Sequence, residues 1–112
     1  MKDFSIQHEQ NGNVTIAAIS GRVDSTTAGT METELNKLIF ANKRVVLDLK
    51  ELEFLSSAGV RAIISGLKIA KKSRHAIKLA AIPDHIAGIL KTLGVMELMQ
   101  AYPSVEEAIA SF

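Results

Sequence analysis

The chain has 112 residues, 47% of them hydrophobic and 22% charged, which supports one globular domain over 1–112 and leaves no room for a second core. Thirteen basic against twelve acidic residues give a net charge of +1, too little for a global field that would draw in nucleic acid or an acidic membrane. Cysteine is absent, so disulfides and thiol chemistry are excluded and a metal site would lack its softest ligand.

The opening Met1-Lys2-Asp3-Phe4-Ser5 has no apolar run of signal-peptide length, and no later stretch is long enough to insert in a membrane, which predicts a cytoplasmic protein. Phe4 and Ile6 alternate with Ser5 and Gln7, and Val14, Ile16 and Ala18 alternate with Thr15 and Ala17. Asn11-Gly12 lies between them, and both residues tolerate positive φ, so residues 3–20 read as a hairpin. Gly21-Arg22-Val23-Asp24 then leads away from the sheet. Asp24 and Ser25 are both suitable N-caps for a helix over 26–41, whose apolar face carries Ala28, Met31, Leu35, Leu38 and Ile39.

Val45-Val46-Leu47 is a continuous apolar run, the signature of an inner strand covered on both faces. After Gly59, Val60, Ile63, Ile64, Leu67 and Ala70 or Lys71 follow the helical i, i+3, i+4, i+7 rule. Gly66 inside this helix costs about 1 kcal/mol relative to alanine and marks the close approach of an unidentified neighbour. Lys68, Lys71, Lys72 and Arg74, continuing to Lys78, read as the solvated end of that helix. Residues 77–82 form a further strand stopped by Pro83. Asp84 caps a short helix with Ile86, Ile89, Leu90 and Leu93 inward, ended by Gly94. An edge strand fits within 95–102, and Ser104 with Glu107 forms a capping box for a last helix bearing Val105, Ala108, Ile109 and Phe112. The order β-β-α-β-α-β-α-(β)-α predicts an α/β domain: a mixed four- to five-stranded sheet with an N-terminal hairpin and about four helices.

Convergent catalytic groups are hard to assemble. There is no glycine-rich phosphate loop, and the serines at 56 and 57 lack the G-x-S-x-G elbow of the α/β-hydrolases. His8, His75 and His85 have no metal-ligand spacing and read as solvated surface residues. Asp48 ends an inner strand, where it either marks a site or accepts N–H bonds from the loop that follows.

The most informative stretch is Phe54-Leu55-Ser56-Ser57-Ala58-Gly59-Val60, between an apolar strand and an amphipathic helix. There the backbone N–H groups lack intrahelical partners and the helix dipole favours negative charge, so a serine is either an N-cap or a phosphate acceptor. Together with Gly21-Arg22-Val23-Asp24, Leu47-Asp48-Leu49 and the closing 103–108 segment, this turn resembles the STAS domain of bacterial anti-sigma factor antagonists over essentially the whole chain. In that family the acceptor serine lies two residues before the turn glycine, which here is Ser57; Ser56, where many members have aspartate, is a second choice.

The resemblance implies partner switching. Unphosphorylated, the domain would bind an anti-sigma factor that is also a serine kinase, through Asp24, Ser25, Ser56, Ser57, Ala58, Gly59, Val60 and Arg61. Phosphorylated on Ser57, it would be released, and a metal-dependent phosphatase of the PP2C type would reset it. ATP and Mg²⁺ would belong to the kinase, and this chain would need no cofactor, no metal and no catalysis of its own. Two other readings remain: an unphosphorylated STAS accessory subunit of a membrane lipid transporter, and a small hydrolase with Ser57 as nucleophile.

Overall fold

The computed structural model describes residues 3–112. The chain begins with a hairpin of β1 (Ser5–Asn11) and β2 (Val14–Val23), joined through Gly12-Asn13. Within this two-residue loop only Gly12 has positive φ, at 62°, the type II′ pattern of a glycine at the first central position. The turn thus lies one residue later than the Asn-Gly reading placed it.

The remaining elements are α1 (Ala28–Ala41), β3 (Arg44–Asp48), β4 (Leu52–Leu55), α2 (Ser57–Ser73), β5 (Ala76–Ala80), α3 (Asp84–Thr92), α4 (Val95–Leu98), β6 (Ala101–Tyr102) and α5 (Val105–Ala110). The α/β architecture, mixed sheet and N-terminal hairpin agree with expectation, with six strands and five helices among the described residues in place of four to five and about four. Strand order is β1-β2-β3-β5-β6, antiparallel only between β1 and β2, and β4 pairs with β2.

The largest departure concerns β2. Residues 21–23 do not leave the sheet; they continue β2 and pair with β4, after residues 15–18 have paired with β3. Gly21, at φ 82°, absorbs the register shift between the two pairings, and its N–H donates to the Glu51 carbonyl at 3.0 Å. Only at Asp24 does the chain turn away. Four smaller corrections follow. Helix α1 begins at Ala28 with Thr27 in the N-cap position, so neither Asp24 nor Ser25 holds it, and Ser25 is an exposed turn residue. Helix α3 has Pro83 at its N-cap, with Asp84 inside the first turn. Residues 95–98 are helical, so the edge strand shrinks to Ala101–Tyr102. Strand β5 ends at Ala80, ahead of Pro83.

Alternation sorts the strands between two cores. Ala17, Ile19, Val45, Leu47, Ile77 and Leu79 face α1, α2, α3 and α4 and form the main core. Val14, Ile16, Val46 and Ala80 face the other way, under Ala108, Val105, Ile109 and Phe112 of the C-terminal segment. Lys78 joins this second face rather than the basic helix end. It is buried, donates to the Ser111 carbonyl at 3.0 Å and hydroxyl oxygen at 2.7 Å, and lies 4.4 Å from the centre of the Phe112 ring. The neighbour that Gly66 admits is α1, since a methyl group there would sit 2.7 Å from Ile39 Cδ1 and 3.5 Å from Leu35 Cδ2.

Because Leu35 is fully buried between these helices and the sheet, Leu35→Ala should lower unfolding stability by about 3 kcal/mol. Urea denaturation read by circular dichroism, with an unchanged m-value, checks this.

Candidate functional site at the β4–α2 turn

The register Arg22↔Phe54 and Val23↔Leu55 carries on beyond the sheet: the Ser56 N–H donates to the Val23 carbonyl at 2.9 Å. Asp24 and Ser56 therefore leave the strand ends side by side, although they are far apart in sequence. Ser56 has extended backbone angles, φ −81° and ψ 169°, and its hydroxyl oxygen accepts from the Gly59 N–H at 3.2 Å. Its carbonyl accepts the first helical bond, from the Val60 N–H at 3.0 Å. Ser56 is the N-cap of α2.

That assignment decides between two adjacent serines that local sequence cannot separate. Ser57 is the first helical residue, exposed, and its hydroxyl has no hydrogen-bond partner among the described residues. The first turn of α2 carries no acidic side chain, so the dipole of about +0.5 charge at this end is not offset from within the helix. Arg61 lies four residues beyond Ser57, on the same side of the helix, and is exposed.

The other sequence-predicted contact residues divide by burial. Ala58 is half-buried against the core, Gly59 is buried, and Val60 is fully buried. Gly59 and Val60 thus shape the turn from beneath rather than present a surface. A Cβ at position 59 would fall 2.5 Å from Leu55 Cδ1 and 2.8 Å from Val23 Cγ1, so any larger residue must displace these two buried side chains.

Asp24 anchors the neighbouring loop. Its Oδ1 accepts from the Thr26 hydroxyl at 2.6 Å, the Thr26 N–H at 2.9 Å and the Thr27 N–H at 3.2 Å, while Oδ2 pairs with Arg22 Nε at 3.0 Å. The Thr26 hydroxyl and N–H, then Arg22 and the Thr27 N–H, hold the carboxyl well below the usual carboxylate range. The Arg22 guanidinium in turn lies 4.2 Å from the centre of the Phe54 ring, tying the Asp24 loop to β4. Sequence reasoning quoted Arg22 and Phe54 within their stretches but gave neither a role of its own. The signal that finds them is their pairing across β2 and β4, which required knowing that β4 exists.

Among the described residues, no histidine is hydrogen-bonded to Ser56 or Ser57. His85 Nε2 is 2.9 Å from the Glu53 carbonyl, His75 Nδ1 is 2.8 Å from the Ile39 carbonyl, and His8 is exposed on β1. His75 is therefore half-buried and bonded rather than a solvated residue. The Asp48 carboxylate accepts from the Lys50 N–H at 3.2 Å. It faces the second side of the sheet with Gln7 and Ala18, away from the turn. Among the described residues, no group of three or more His, Cys, Asp or Glu could hold a metal ion. No helix among them is long and apolar enough to cross a membrane.

The fold of this chain is also that of known proteins. The model of the STAS domain family matches residues 5–108. A protein of Bordetella bronchiseptica, BtrV, to which anti-sigma factor antagonism is ascribed, is 31% identical over 98 residues, covering 87% of this chain and 84% of that protein. The crystal structure of an anti-sigma factor antagonist from Mycobacterium paratuberculosis superposes with a TM-score of 0.89 at 20% identity, over 97% of this chain and 93% of that one. SpoIIAA has been solved in unphosphorylated and phosphorylated forms, with TM-scores of 0.79 and 0.73 at 16% and 17% identity; the matches cover 96% of this chain, and 95% and 98% of those chains. The chain belongs to the STAS domain family and, within it, to the bacterial anti-sigma factor antagonists.

Two measurements test the construction of the turn. Gly59→Ala must push buried Leu55 and Val23 aside and should cost about 1–3 kcal/mol, read by urea denaturation. For Asp24, a folded-state pKa below the ordinary value means that its stabilising contribution is present above the unfolded carboxylate pKa of about 3.9 and is lost as pH falls through the folded value. Asp24→Asn should thus be less stable than the parent at pH 7. That gap should narrow as acid unfolding is followed downward from about pH 4, and a gap that widens in acid would contradict the hydrogen-bond assignment.

Proposed function

We propose that this protein is an anti-sigma factor antagonist controlled by phosphorylation of Ser57, acting as a binding module rather than a catalyst. The observation that carries the reading is the division of labour between the two serines: Ser56 caps the helix, and Ser57 is left exposed with an unengaged hydroxyl. A kinase could take that hydroxyl into its own site without dismantling a cap. Relatives named as anti-sigma factor antagonists support the partner class, and the two forms of SpoIIAA are a precedent for a phosphorylated member of the fold.

In this mechanism the unphosphorylated turn, with Ser57, Ala58, Arg61, Asp24 and Ser25 around it, packs against an anti-sigma factor that is itself a serine kinase. ATP and Mg²⁺ are bound by that kinase. The Ser57 hydroxyl attacks the γ-phosphorus of ATP, ADP leaves, and the hydroxyl proton passes to the kinase's base. The product carries about −1.5 to −2 added charges. The dipole at the start of α2 tolerates this charge within the domain, whereas a packed interface would have to desolvate it. Losing about 3 kcal/mol of binding weakens affinity more than a hundredfold. A PP2C-type phosphatase hydrolyses the ester and returns the protein to its binding form. Each step takes place in the cytoplasm.

The test is reconstitution with a cognate anti-sigma kinase and Mg-ATP, read by intact mass and site mapping. One phosphoryl group should appear on Ser57. Ser57→Ala should remain bound in the presence of ATP, and Ser57→Asp should bind at least about tenfold more weakly. Ser56→Ala should still be phosphorylated, while losing about 1 kcal/mol of stability with its cap. Modification of Ser56 alone, or equal binding by both Ser57 variants, would overturn the assignment.

A further inference from the structure

The exposed face at the far ends of α1 and α2 is not used by the proposed switch. Thr33, Asn36, Lys37 and Phe40 line one wall of a groove there, and Ile69, Lys72 and Ser73 the other, around a volume of about 810 Å³. The spacing on each wall is that of a single helical stripe: 33, 36/37, 40 on α1 and 69, 72/73 on α2. Phe40 is 72% exposed, the most exposed large apolar side chain among the described residues. Ile69 is half-buried at the edge of the main core. The groove therefore has an apolar floor and one aromatic edge, and its two charged side chains, Lys37 and Lys72, are both cationic and stand on opposite walls.

The charge is what selects an occupant. Lys68 and Lys71 are exposed on the same helix end and extend the positive field, while no acidic side chain lines the groove. Lysines in the last turn of α2 favour its dipole, but that account leaves Lys37 and Phe40 of α1 unexplained. Shape argues against a membrane surface. Only Phe40 projects, and Ile69 lies back in a concavity that a bilayer would bridge rather than fill. The stretch from Thr33 to Phe40 rises about 10 Å, the length of two helical turns.

We propose that this groove docks an acidic amphipathic helix of a protein partner, its apolar stripe seated between Phe40 and Ile69 and its carboxylates paired with Lys37 and Lys72. Ile69 lies twelve residues beyond Ser57, about 18 Å along the axis of α2. Docking here is therefore compatible with either phosphorylation state of the turn. A partner held at this end stays attached while the other end exchanges its own.

The probe is a synthetic amphipathic helical peptide of two to three turns with a Leu/Phe stripe and glutamates elsewhere. It is titrated into the ¹⁵N-labelled protein, beside a version with every glutamate replaced by lysine and beside vesicles containing phosphatidylglycerol. Expected are saturable shifts confined to residues 33–40 and 69–73 with the acidic peptide alone, weakened at least about tenfold by Phe40→Ala or by Lys37→Glu with Lys72→Glu. They should also be suppressed in 1 M salt, where the Debye length is about 3 Å. Ser57→Asp should bind this peptide as the parent does, which separates the result from the fate of the switch. Absence of saturable shifts, equal binding of both peptides, or binding to the vesicles only would overturn the proposal. The substituted side chains are solvent-exposed, and retention of the remaining amide resonances shows that each variant is folded.

Discussion

The arrangement of the turn rests on the contact between Gly59 and the strand ends beneath it. With only hydrogen at that position, the first turn of α2 lies directly on Leu55 and Val23, closer than any Cβ would permit. From that approach the rest follows in order. The Ser56 N–H reaches the Val23 carbonyl, which fixes Ser56 in extended geometry outside the helix, and its hydroxyl then caps the Gly59 N–H. Once Ser56 is the cap, Ser57 is the first helical residue and is carried to the outside. Glycine has low helix propensity, but near a helix start that cost is offset by seating the whole helix against the core. The same device recurs at Gly66, where it brings α2 onto α1.

Much of this was legible from periodicity. The buried stripe of α2, the apolar face of α1 and the two-sided burial of Val45-Val46-Leu47 are where the sequence pattern put them. What escaped was β4. Leu52-Glu53-Phe54-Leu55 has buried residues only at its two ends, so it shows no alternation. Its partner stretch, residues 21–23, begins with a glycine that reads as a strand terminator. Pairing with a distant segment overrode both local signals. The choice between Ser56 and Ser57 as cap was illegible for a related reason: both are good capping residues, and the Val23 carbonyl, brought in by that same missed pairing, decides between them. The family resemblance, through the distance to Gly59, named Ser57 as the acceptor but left open whether that serine was also the cap.

The two halves of the candidate surface are held by different forces. On the α2 side the geometry comes from close packing, which is insensitive to salt and pH. On the α1 side it comes from Asp24, whose carboxylate gathers Thr26, Thr27 and Arg22 while Arg22 stacks on Phe54. A carboxylate satisfied by several donors is a rigid acceptor, and its charge is already partnered. Added negative charge at Ser57 would meet this neighbour as a fixed anion rather than as a mobile group free to move aside. A partner packed over both serines and the Asp24 loop would then experience the full change in field.

This bears on how a phosphoryl group would act. A conformational switch needs two packings of similar free energy, and the elements around the turn offer little slack. Val23, Val60 and Ile63 are fully buried and Leu55 nearly so, and Gly59 has no room for a methyl group. Shifting the first turn of α2 would break the Ser56–Val23 bond and open the main core at the same time. Under the proposed switch, the cheaper path leaves the domain as it stands and changes only the charge it presents, so that release is decided at the interface. A rigid domain of this kind also suits a second docking groove at the opposite end of α2. If the packing between them does not change, the two ends act independently, and coupling between partners would have to come from the partners themselves.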